Sequence, residues 1–130
     1  MHDGWMETCK MKTIICDIDG TIFRYSPKGT VQIVNEEPIL LPGVVEQFNE
    51  WEMMGCKIIL ITGRRESLRE HTEASLIKHG IPFDVLLMGY ADTGRVLIND
   101  INWAGKTKAH CINLERDAGF LDADWEDVGL

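Results

Sequence analysis

The sequence has no basic surplus. Lys and Arg together number 13 against 21 Asp and Glu, a formal net charge of −8 over 130 residues. Proteins that grip a phosphate backbone normally carry a basic stripe, so this balance disfavours nucleic acid as a general partner. It leaves room for a small anionic substrate, because a divalent cation and a few local arginines can reverse the field inside a pocket. No apolar run approaches the roughly 20 residues of a membrane helix, so no membrane partner is expected. Met1-His2-Asp3-Gly4-Trp5 has no basic start followed by an apolar stretch, which argues against a secretory signal and for a cytoplasmic location. The four cysteines, Cys9, Cys16, Cys56 and Cys111, form no C-x-x-C pair. His2, His71, His79 and His110 do not cluster near them, so a zinc site is not expected. The cysteines read instead as reduced thiols in the core, Cys16 and Cys111 within apolar strand-like runs and Cys56 bordering one.

What is present is enough apolar residue, 45%, for one packed core, so residues 1–130 are expected to form a single domain. Residues 1–10 show no period and read as a loose leader. Lys12 to Asp17 is a short β-branched run, read as a buried strand. In 22–42, Phe23-Arg24-Tyr25 and Val31-Gln32-Ile33-Val34 flank the turn chemistry of Ser26-Pro27-Lys28-Gly29, which predicts a projecting β-hairpin. Val44, Val45, Phe48 and Trp51 have helical spacing and stop at Gly55. Lys57–Thr62 predicts a second strand, Glu66–His79 a helix ended by Gly80, and Asp84–Met88 a third strand. Arg95–Asn99 predicts a fourth strand and Lys108–Leu114 a fifth. The tail 121–130, with Asp122, Asp124, Glu126 and Asp127, reads as a solvated acidic end. Apolar strands alternating with helices imply an α/β fold: a three-layer, Rossmann-like parallel sheet with helices on both faces and the hairpin projecting.

In such folds the site lies beyond the carboxyl ends of the strands. Polar chemistry is found at those ends. The first predicted strand ends at Asp17, with Asp19, Gly20 and Thr21 beyond it. The second ends at Thr62, followed by Gly63 and Arg64, and the fourth at Asn99-Asp100. Asp17 and Asp19 repel unless a cation or proton sits between them. Asp100 adds a third charge, and three acids around one point suit a hard cation such as magnesium. Gly20 permits a sharp turn and close approach to a ligand. A carboxylate nucleophile beside a metal is one route through an aspartyl-phosphate.

Asp17-Ile18-Asp19-Gly20-Thr21, then Thr62-Gly63-Arg64, then an apolar run ending at Asn99-Asp100, resembles the haloacid dehalogenase superfamily over roughly residues 12–103. The first motif is the specific one; the others draw weight from their order. The resemblance implies Asp17 as nucleophile and Asp19 as general acid and base. It implies magnesium held by the Asp17 and Asp100 carboxylates and the Asp19 main-chain carbonyl, with Thr62 and the Gly63 amide on the phosphoryl group. Where the family places a lysine, the nearest match by position is Arg95, with Lys106, Lys108 and Lys78 as other candidates. Arginine keeps the charge and changes its geometry. Many members carry a further acid beside the last aspartate. Here Asn99 precedes Asp100 and Ile101 and Asn102 follow it, and Asn99 or Asn102 could reach the metal directly or through water.

Plainer readings stand beside these. Arg64 and Arg65 read either as substrate contacts or as a solvated helix start. Glu115-Arg116-Asp117 reads as a solvated charge run, with Arg116 reaching the pocket as the lesser alternative. His71 and His79 read as helix-surface or core residues. The spacing between motifs leaves no room for a separate cap domain, so an open site is expected, covered by a large substrate or by a second subunit. Tyr25, Val31, Ile33 and Val34 offer a surface for a homo-oligomer. The expected function is magnesium-dependent hydrolysis of a sugar phosphate or another small phosphomonoester. The alternatives are a phosphotransferase, a nucleotide or polynucleotide-end phosphatase, and a phosphate-binding scaffold without turnover.

Overall fold

The computed structural model describes residues 12–130; the expected leader, including Cys9, lies outside them. Three short strands form a parallel sheet in the order β1 (Thr13–Asp17), β2 (Lys57–Ile61), β3 (Val85–Leu87). Their register pairs Ile14 with Ile58 and Cys16 with Leu60, and Leu60 in turn with Leu86. Partners in register point to the same face of a pleated sheet. Cys16, Ile58, Leu60 and Leu86 are accordingly all buried. The other face is more open: Ile15 of β1 is 52% exposed, and Val85 of β3 is also exposed.

Three helices accompany the sheet: α1 (Thr30–Asn35), α2 (Val44–Met53) and α3 (Arg69–Lys78). A 3₁₀ turn, Glu66–Leu68, leads into α3. The helix α2 buries Val44, Phe48 and Trp51, the spacing that brings one face of a helix to the core. It stops at Gly55, whose φ of 81° is in the left-handed region glycine tolerates. In α3 the buried residues are Thr72 and Leu76, one turn apart.

An aromatic cluster closes the core beneath α2. Trp51 lies 5.1 Å from Phe48, 5.8 Å from Phe120 and 5.1 Å from Trp125, measured between ring centroids. Trp125 belongs to the stretch expected to be a solvated acidic end. Its acids are exposed, but the indole turns inward, because a large apolar ring gains more from burial than the tail loses in freedom.

Three expectations are corrected. The segment 22–42 is no hairpin. Phe23 pairs in antiparallel sense with Leu40, and Arg24 N–H donates to the Ile39 carbonyl at 2.9 Å. Val31 to Val34 lie in α1, where Ile33 packs on the core and its carbonyl meets His71 Nε2 at 2.8 Å. Tertiary packing overrides the β-branched preference of that run. Residues 95–99 form no strand: Val96 and Ile98 are 88% and 89% exposed. A parallel neighbour needs a crossover of a dozen or more residues, usually through a helix. Only residues 88–94 lie between β3 and this run, and Gly89 and Gly94 both have positive φ. Residues 108–114 form no strand either, and Cys111 is exposed while Cys16 and Cys56 are buried. No helix of the described residues is long and apolar enough to cross a membrane.

Candidate active site

The register of β1 on β2 places Asp17 opposite Ile61, so the two strands end level and Thr62 follows immediately beside Asp17. The chain then turns hard. The Ile18 carbonyl accepts the amides of Thr21, Ile22 and Phe23 at 3.1, 2.8 and 3.2 Å. Gly20 adopts φ 87°, and a Cβ there would meet Arg116 Cγ at 3.1 Å. This tight loop leaves the Asp17 carboxylate half-buried at its mouth. Thr21 Oγ1 donates to Asp17 Oδ2 at 3.4 Å, and Arg95 Nη1 lies 3.3 Å from Oδ1.

Asp19 has a different partner. Arg64 Nε and Nη2 donate to its two oxygens at 2.9 and 2.8 Å, a forked pair. Arg64 Nη1 continues to Thr72 Oγ1 at 3.1 Å, tying the loop to α3. The Arg64 side chain is 4% exposed. It is therefore neither a solvated helix start nor a free substrate contact, because a buried guanidinium requires a carboxylate. Thr62 is buried. Its hydroxyl accepts the Arg64 amide at 3.1 Å, which leaves its own hydrogen to donate. Gly63 is exposed beside it.

Burial pushes the Asp17 carboxyl above the usual carboxylate range; the Ile18 amide and Arg95 oppose this, and Asp19 adds to it. The native chain thus holds the proton more tightly than the unfolded one. The associated stability is complete below the ordinary value of 3.8 and is lost as pH rises through the higher native value. Asp17→Asn, which cannot ionise, is expected to melt at a higher temperature than the native protein at about pH 7 in chelator. The gain should shrink as pH falls toward about 4. A lower melting temperature at about pH 7 would contradict a charge-strained Asp17.

Other residues singled out in the sequence lie apart. Asp100 is exposed and pairs with Lys108, and Asn99 Nδ2 reaches its Oδ1 at 3.5 Å. Asn102 Oδ1 accepts the amides of Ala104 and Lys106, both at 2.9 Å, and so closes a local turn. Lys78 pairs with Glu37 at 2.9 Å.

No family model matches the chain. Over 72 residues it is 28% identical to membrane-associated phosphatidylinositol transfer protein 3 of mouse and of human, a match to 55% of this chain and 7% of those proteins. A chain in the structure of the Pnkp1/Rnl/Hen1 complex superposes with a TM-score of 0.54 and 31% identity, over 67% of this chain and 31% of that one. A crystallised target protein from Vibrio cholerae superposes with a TM-score of 0.53 and 22% identity, over 91% of this chain and 94% of that one. The chain has the haloacid dehalogenase fold. Within that fold the D-x-D-G-T loop and the T-G-R turn occupy adjacent strand ends.

The site's donors suit a hard cation in part. The Asp17 carboxylate is short of positive charge even with Arg95 beside it, which fits a cation at that point. The Asp19 carbonyl supplies a second oxygen of the right chemistry. Asp100 does not join them: among the described residues no three His, Cys, Asp or Glu side chains gather to hold a metal. The role of Arg64 escaped the sequence. The available signal was an arginine right after a strand end, facing an edge already loaded with two acids.

Proposed function

We propose that this chain is a phosphomonoester hydrolase that works through an aspartyl-phosphate on Asp17. The observation that carries the reading is the half-buried Asp17 carboxylate at the end of β1, with Thr62 just beyond its partner Ile61 and Arg95 at 3.3 Å. Asp17 would attack phosphorus while the bond to the leaving oxygen breaks, and Asp19, protonated once it leaves the Arg64 fork, would give that oxygen a proton. Water would then attack the phosphorus and give its proton to Asp19, which frees phosphate and restores Asp17. Thr62 Oγ1 and the Gly63 amide are suited to bind the phosphoryl oxygens, and Arg95 to offset their charge. Magnesium held by the Asp17 carboxylate and the Asp19 carbonyl would supply further charge compensation.

A groove beside Arg64 is lined by Arg24, Ser26, Gln32, His71 and Ser75 among others. Its wall mixes these polar side chains with Phe23, Ile33 and Ile39, and the net charge of −8 favours a small phosphomonoester such as a sugar phosphate. The second reading, a polynucleotide-end phosphatase, rests on the likeness to a chain of an RNA repair complex. Val31 and Val34 point outward from α1 and remain the surface on which a second copy would cover the open site. The purified protein should release phosphate from p-nitrophenyl phosphate with magnesium and stop when the metal is chelated. Absence of turnover with every divalent metal tried would sink the hydrolase reading.

A further inference from the structure

The Glu115–Asp117 turn is not a loose charge run. Asp117 N–H donates to the Gly20 carbonyl at 2.9 Å, and Tyr25 N–H donates to Asp117 Oδ1 at 2.7 Å. Asp117 holds φ 65°, the one positive φ outside glycine among the described residues. A non-glycine residue keeps that conformation only where its surroundings fix it, and such positions concentrate at functional sites. Here they fix Arg116. Its stem lies over Gly20, where an added Cβ would come within 3.1 Å of Cγ. Its guanidinium carbon sits 4.1 Å from the centre of the Tyr25 ring. Stacking holds one face of the fork and leaves its edge N–H groups to donate.

Among the described residues no carboxylate forms an ion pair with Arg116, although the chain carries 21 acids. A cation so held, against Gly20 of the loop that follows Asp17, is preorganised for an anion supplied from outside. Tyr25, which carries it, also lines the groove that contains Arg64.

We propose that Arg116, stacked on Tyr25, is a second anion subsite beside the Asp17 loop, and that the substrate is a small phosphomonoester bearing another phosphate on its leaving group. The assignment of the substrate rests on the hydrolase reading; the anion subsite does not.

Binding of glucose 1,6-bisphosphate and of glucose 1-phosphate is to be compared by calorimetry on the full chain. Magnesium is present, and Asp17→Asn prevents turnover. The bisphosphate should bind about tenfold more tightly, the scale of one charge-assisted contact. Adding Arg116→Gln should remove that preference, Arg116→Lys should restore part of it, and Tyr25→Leu should weaken it with Arg116 intact. Equal binding of the two sugars, or a preference that survives Arg116→Gln, would overturn the subsite. Failure of the native chain to hydrolyse either sugar, with the preference and its loss intact, would remove the hydrolase reading and leave the subsite standing.

Discussion

Asp17→Asn should lower phosphate release on the order of 10⁴-fold or more, with the folded structure retained. The substitution keeps the side chain's shape and removes the nucleophilic oxygen and its charge. The single carbonyl oxygen can keep Arg95 while the new amide donates to Thr21 Oγ1, whose hydroxyl can accept, so the loop can hold its shape. The loss should fall on kcat, because the missing bond forms during reaction and not in substrate binding. Single-turnover measurement with labelled substrate gives a second check, since no phosphorylated protein should accumulate. Residual activity within about tenfold of native would remove Asp17 as the attacking group.

Arg64→Ala carries the second large effect, and it falls on stability. The pair with Asp19 is largely closed to water, at 4% and 19% side-chain exposure. Taking away one partner leaves the other charge without compensation, at a cost of about 3–5 kcal/mol in buried pairs. Thr72 would lose its partner too. Against a typical domain stability of roughly 5–15 kcal/mol, that is a large fraction. The midpoint of urea unfolding should fall steeply. Adding Asp19→Asn to Arg64→Ala should recover part of the loss, because the stranded carboxylate is then gone. If the double variant is as unstable as the sum of the singles, the forked pair does not couple the two residues. Arg64→Lys should recover stability only in part, since one ammonium cannot serve both carboxylate oxygens and Thr72.

How much of this was legible in the sequence depends on range. The strands ending at Asp17 and Ile61, and the helices stopped at Gly55 and Gly80, follow from local period and from the φ that glycine permits. The motif loop at Asp17 to Thr21 was readable for the same reason: its turn is made by neighbours. The run Val96–Ile98 misled because apolar composition signals burial, whereas a strand also needs an edge to pair with and a chain long enough to reach it. Val31 and Ile33 misled because their branching favours strands, whereas the packing of Ile33 on the core and the contact of its carbonyl with His71 on α3 go with a helix. Arg64 and Asp19 are 45 residues apart, and Tyr25 and Asp117 are 92 apart. No periodicity carries information over such separations; each contact exists because the register of β1 on β2 and the docking of the last third of the chain bring distant loops together.

The open side of β1 bears on how copies of this chain meet one another. β2 pairs with only one flank of β1, and among the described residues no strand takes the other. Elsewhere in the chain stands an uncovered run, Val96-Leu97-Ile98, free of charge and of proline. An unpaired flank and a bare β-prone run are the two ingredients of sheet growth between molecules. Native proteins guard such flanks with charge, and here the guard is collective: the surplus of acids should keep neighbouring molecules apart, so salt that screens it should promote self-association, which light scattering against salt would read.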